Sequence, residues 1–160
     1  MPVSNIVKED PLVVNHFFLE IDGEVISQLS EVSGLDVELE VSEFAQQLPN
    51  GQYSQRKTFA KPKWTGEISV KRLAPLDATK DPLWKWFEDI RNKGMSVSAL
   101  NAQRKNGSVV IYDSSMKEIS RWNFTNGWPS KISQDAVTVS GNEPIFETIT
   151  IQHEKLDRVK

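Results

Sequence analysis

Leu35-Asp36-Val37-Glu38-Leu39-Glu40-Val41-Ser42 alternates apolar and polar residues without a break, which is the period of a strand that buries one face and wets the other. Leu35, Val37, Leu39 and Val41 take the predicted inner face, while Asp36, Glu38 and Glu40 share the wet one. Upstream, Val25 to Ser33 also reads as a strand, Asp22-Gly23 as a turn, and Asn15 to Ile21, rich in aromatic and branched residues, as the strand before it. Gly34 marks a bulge or tight bend. Connections this short cannot form parallel crossovers, so the three runs are expected as consecutive antiparallel strands.

Downstream the alternation stops. Residues 45 to 63, AQQLPNGQYSQRKTFAKPK, collect Pro, Gly, Gln and base and read as a long exposed loop, a length that usually serves a function such as partner contact. Strand pattern returns from Thr65 to Leu73, with Ile68 and Val70 on one face and Glu67, Ser69 and Lys71 on the other. One helix follows. Asp81 caps it, Pro82 fits its first turn, and Leu83, Trp86, Phe87 and Ile90 form one packing stripe that leaves Trp84 half exposed. Arg91 and Lys93 suit its C-terminal end, and Gly94 stops it. Ser108 to Tyr112 and Glu118 to Phe124 flank the polar turn 113 to 117. Trp128-Pro129 breaks the pattern, and Ile145 to His153 closes the series with Ile145, Ile149 and Ile151 inward. One helix among many strands predicts a single mainly β domain, an antiparallel sandwich or barrel.

Charge is unevenly placed along the chain. Residues 1 to 55 hold ten acidic side chains and one base, Lys8, whereas the rest hold twelve acids and eighteen bases, so a net charge of -3 hides segments near -9 and +6. Segregated surfaces favour head-to-tail contact between copies; a fold that interleaves the two segments would cancel the difference. The 160 residues suffice for one core without staples, and the chain has no cysteine, which excludes thiolate metal sites and suits a reducing compartment. No signal-like start and no run of roughly 20 apolar residues is present, so a soluble protein of cytoplasmic synthesis is expected. A sequence pI near 5.5 argues against a general nucleic-acid surface.

No enzyme motif emerges. His16 and His153 each sit in a predicted strand without metal-pair spacing. Asp36, Glu38 and Glu40, about 7 Å apart along one face, read as a solvated acidic face rather than a cation site or an acid/base pair. There is no phosphate-cradling loop and no nucleophile elbow. Asn106-Gly107-Ser108 and Asn123-Phe124-Thr125 match the glycosylation triplet by chance frequency, and Arg104-Lys105-Asn106-Gly107 reads as a basic turn. Trp122, Trp128 and Tyr112 leave room for a non-catalytic β-sandwich module that binds carbohydrate. Trp122 and Phe124 share a parity, however, which places them better in the core.

Several segments together resemble the contractile phage tail tube family, which includes inner tube proteins of extracellular contractile injection systems. They are Phe17-Phe18-Leu19-Glu20-Ile21-Asp22-Gly23, Glu31-Val32-Ser33-Gly34-Leu35-Asp36-Val37-Glu38, Ile68-Ser69-Val70-Lys71-Arg72, Leu83-Trp84-Lys85-Trp86-Phe87 and Asn106-Gly107-Ser108-Val109-Val110. Most specific is the run Arg121-Trp122-Asn123-Phe124-Thr125-Asn126-Gly127-Trp128-Pro129-Ser130-Lys131-Ile132, followed by Asn142-Glu143 and Glu147 to Glu154. Leu73 stands where similar chains often carry glycine, and the 45 to 63 segment is unusually rich in Gln.

The resemblance implies two packed antiparallel sheets with a flanking helix, hexameric rings that stack into a hollow tube, and no cofactor and no catalysis. It implies as partners other copies of the chain, a sheath, a baseplate hub and spike, tape measure or terminator proteins, and DNA or protein cargo in the lumen. The tube would form part of a virion tail or a released injection particle, without membrane insertion by this chain. Within that frame Asp36, Glu38 and Glu40 are expected to face the lumen as an acidic wall. Arg56, Lys57, Lys61 and Lys63 are expected to contact the next ring.

Overall fold

The computed structural model describes residues 16–63, 66–93 and 103–160. The strands are β1 (His16–Ile21), β2 (Glu24–Leu29), β3 (Glu31–Ser33), β4 (Glu38–Gln47), β5 (Tyr53–Lys63), β6 (Glu67–Leu73), β7 (Lys105–Tyr112), β8 (Glu118–Gln134), β9 (Phe146–Gln152) and β10 (Lys155–Arg158). The helix α1 (Pro82–Lys93) lies between β6 and β7. All pairings are antiparallel.

The chain passes between the layers within β8 and again between β2 and β3. β8, 17 residues long, pairs β7 and β10 with its first part and β9 with its second, so one layer runs β2-β1-β7-β8-β10 and the other β8-β9-β6-β3. The run expected as one strand from Val25 to Ser33 divides at Ser30, β2 pairing β1 and β3 pairing β6. The sheet does not close into a barrel. Pro129, expected to end a strand, lies within β8 beside a register shift, where a missing N–H is tolerated.

The core lies between the layers. Leu19, Ile68, Val70, Val109, Ile149 and Ile151 are fully buried, and Phe124 and Leu156 nearly so. Each contributes about 1.5–3 kcal/mol through removal from water. The alternation assigned to Ile68, Val70, Ile149 and Ile151 holds, but Ile145 lies outside β9 and is exposed.

The helix is tied down by a buried ionic cluster. Asp81 caps it by accepting from the Trp84 N–H at 3.1 Å, and the Arg72 guanidinium on β6 holds the same carboxylate through two bonds of 2.9 and 2.6 Å. Arg72 also reaches Glu147 on β9 at 3.3 Å, and Glu147 accepts from the Trp84 indole at 3.1 Å. Leu83 and Trp86 are buried, whereas Phe87 and Ile90 are half-buried, Phe87 edge-on to Trp84. Gly94 lies outside the described residues. No described helix is long and apolar enough to cross a membrane.

Candidate assembly interface: the projecting hairpin

The segment expected as a loop from 45 to 63 is mostly strand. β4 and β5 pair with each other from Glu38↔Lys63 to Gln47↔Tyr53, as a separate two-stranded sheet. Only 48–52 form the turn, closed by Leu48 N–H donating to Gln52 O at 2.7 Å and Gly51 N–H to Leu48 O at 3.0 Å. Gly51 takes φ 81°, a backbone region that suits glycine. The missed signal was Asn50-Gly51 between two strand-compatible runs, a hairpin signature. β4 therefore pairs with β5 and not with the strand before it, which overturns the expected three-strand series.

Gly34 sets the point of departure. Its φ is 84°, and a Cβ there would collide with the backbone of Glu67 and Ile68, so the chain leaves the sandwich where β3 ends beside the start of β6. At 10 and 11 residues the strands reach about 33 Å.

Both faces of the hairpin are largely exposed. Leu39, Val41 and Phe59 share one face, with 59%, 63% and 81% of their surface exposed, and Val37 at the root is 60% exposed. The expectation that Leu35, Val37, Leu39 and Val41 are covered is corrected for all but the half-buried Leu35: Val37, Leu39 and Val41 are mostly exposed. Glu38 and Glu40 fall on the opposite face, shared with Phe44 and Arg56. Asp36 and Glu38 are exposed and Glu40 is half-buried.

The acidic strand and the basic segment are the two arms of this one element. Lys63 lies 3.6 Å from Glu38, and Lys57 lies 3.1 Å from Glu43. No ion pair forms at Arg56 or Lys61 among the described residues. Farther on, Arg121 joins Glu20 at 2.7 Å and Glu118 at 2.7 Å. The charge split along the sequence is thus offset in space at Glu20, Glu38 and Glu43, each paired with a base of the later segment.

Other candidate residues have structural roles. His153, just past β9, is buried, with neither ring nitrogen hydrogen-bonded and its ring 6.4 Å from that of Phe124. Burial holds its pKa below the ordinary 6.5, against a smaller upward pull from Asp36. His16 begins β1. Trp122 and Trp128 pack against the core, and Tyr112 stands edge-on to Phe18, which removes the open aromatic platform that a carbohydrate module needs. Arg104 pairs with Glu154 at 3.2 Å. Among the described residues no group of three His, Asp or Glu is placed to hold a metal.

The sequence model of the T4-like virus tail tube protein gp19 family matches residues 13–157. The chain belongs to that family. Its fold is similar to the extracellular contractile injection system PVC sheath/tube terminator in the extended state, with TM-score 0.72 and 18% identity over 96% of this chain and 100% of the other. It is also similar to the anti-feeding prophage tube-terminating cap, with TM-score 0.69 and 15% identity over 99% and 98%. A chain of the PVC sheath-tube complex in the extended state gives TM-score 0.66 and 18% identity over 99% and 97%. No curated protein sequence matches. Membership in the tail tube family makes the chain a structural tube protein, and a tube is an assembly that requires uncovered surfaces of the kind the hairpin presents.

Proposed function

We propose that the chain is the repeating subunit of a hollow conduit in a contractile tail or injection particle, assembled as hexameric rings stacked into a tube, with a mechanical and non-catalytic role. The free-standing hairpin carries this reading. An isolated two-stranded hairpin is at best marginally stable in water, and this one holds Leu39, Val41 and Phe59 in solvent. Covering those three side chains with a neighbouring copy would supply about 1.5–3 kcal/mol each, enough to order the hairpin and bind copies together.

The four bases Arg56, Lys57, Lys61 and Lys63 then lie at the ring-to-ring contact. Arg56 and Lys61 are the stronger candidates, because Lys57 and Lys63 already have partners within the hairpin. Asp36, Glu38 and Glu40 are proposed for the lumen. Lys63 lies opposite Glu38 and pairs with it, so that wall is of mixed charge and not purely acidic. The similar structures support a sheath, a baseplate and a terminator as further partner classes, and the lumen is the route for DNA or protein cargo.

Negative-stain microscopy of the purified protein tests the reading. Rings or tubes with a central hole are expected, alone or on a baseplate template; persistent monomers under both conditions would refute it.

A further inference from the structure

The sequence holds three chemically identical Asn-Gly steps, Asn50-Gly51, Asn106-Gly107 and Asn126-Gly127, and the fold places them in different settings. Asparagine is a chemically labile residue. In an Asn-Gly step the glycine N can attack the side-chain amide carbon, because no Cβ on the second residue obstructs the approach. The side chain and the following peptide must first rotate against each other. A backbone held in a sheet forbids that rotation, and an exposed turn permits it.

Asn106 and Asn126 are held. Gly107 is buried in β7 between Ile21 of β1 and Phe124 of β8, and Gly127 is buried in β8 opposite Lys105. The Phe124 ring packs against both glycines. Asn106 O accepts from the Asp22 N–H at 3.0 Å and its Oδ1 from the Asn126 N–H at 3.1 Å, while Asn126 Nδ2 donates to Glu154 at 2.8 Å. Asn50 instead sits between Pro49 and Gly51 in the tip of the hairpin, where residues 48–52 are all exposed. Nothing lies within 4 Å of the point where a Cβ on Gly51 would stand. One contact at the tip also favours reaction. The Gln52 N–H donates to Asn50 Oδ1 at 3.1 Å, which draws electron density from the amide carbon and stabilises the negative charge that develops on that oxygen during attack.

We propose that Asn50 is a modification site, converted without an enzyme to aspartate and isoaspartate, while Asn106 and Asn126 stay intact in the folded chain. The Gly51 N bonds to Asn50 Cγ and gives up its proton, the Cγ–Nδ2 bond breaks, and ammonia leaves carrying that proton. The five-membered imide that results is opened by water. Opening at the side-chain carbonyl gives aspartate, and opening at the main-chain carbonyl gives isoaspartate. One water is consumed for each ammonia released. Either product adds a negative charge at the tip. Aspartate keeps the oxygen that accepts from the Gln52 N–H. Isoaspartate inserts an extra carbon into the main chain of the turn, which disrupts the closing bonds from Leu48 N–H to Gln52 O and from Gly51 N–H to Leu48 O. The proposal does not depend on the tube reading, since it concerns the single folded subunit.

Peptide mapping by mass spectrometry tests it. Dilute protein is held in mildly alkaline buffer, folded or in urea, and fragment spectra follow conversion at positions 50, 106 and 126 over time. In the folded protein position 50 is expected to convert at least about tenfold faster than either other site, because a residue in a sheet reacts only through an opening that the exposed turn does not require. In urea that advantage should disappear. Equal rates at the three positions in the folded protein, or no conversion at position 50, would overturn the proposal. The same preference for position 50 in urea would assign the selectivity to flanking residues and overturn the role given to the fold.

Discussion

The sandwich and the hairpin are built from similar strands with opposite fates for their apolar faces. In the sandwich Ile68, Val70, Ile149 and Ile151 are wholly buried by the chain's own second layer; in the hairpin Leu39, Val41 and Phe59 remain mostly in solvent. The first region stores the stability of the subunit, and the second leaves apolar surface exposed, which under the proposed function another copy covers. A folded monomer and an assembled tube therefore depend on different residues, and substitutions should separate them.

The largest expected effect breaks the sandwich. Phe124→Ala empties the space of a nearly fully buried ring and should cost about 3–5 kcal/mol in urea unfolding, whereas Phe59→Ala should shift the same midpoint by under about 0.5 kcal/mol while reducing assembly. Arg72→Met comes next. It leaves Asp81 and Glu147 without their shared cation in a buried site and is expected to cost about 3–5 kcal/mol, with α1 loosened first as seen by hydrogen exchange.

A smaller effect follows from His153. Its folded pKa is lowered by burial, so the unfolded chain takes up the proton first. Stability is complete above the ordinary value of 6.5 and falls as the pH drops below it. Denaturation midpoints measured across that range should decline for the unaltered protein, and His153→Leu should flatten this part of the profile. The smallest effect belongs to the hairpin's own ion pairs. Lys57→Ala removes an exposed partner of Glu43 and should change monomer stability by about 0–1 kcal/mol; a larger loss would mean that the hairpin is held by its own chain.

Much of the sandwich was legible in sequence because its rules are local. Alternation placed Ile68, Val70, Ile149 and Ile151; Asp81 and Pro82 located the start of α1; Asp22-Gly23 marked the first turn. What escaped notice depended on pairing at a distance. Nothing local to Val25–Ser33 says that its two halves join different layers, and Pro129 looks like a terminator until β8 is seen to pass through a bulge there. The 45 to 63 segment lacked apolar alternation because neither face of β5 enters a core, so a strand exposed on both sides resembled a loop. The alternation of residues 35 to 42 misled in the other direction: it signals burial, yet Val37, Leu39 and Val41 are mostly exposed.

The central claim is that the apolar face of the hairpin serves assembly and not folding. Electron microscopy of the unaltered protein and of Phe59→Asp, prepared at equal concentration with circular dichroism to establish equal folding, tests it most directly. The account predicts hollow tubes from the first and only folded subunits or isolated rings from the second. Tubes of equal length from both would contradict it.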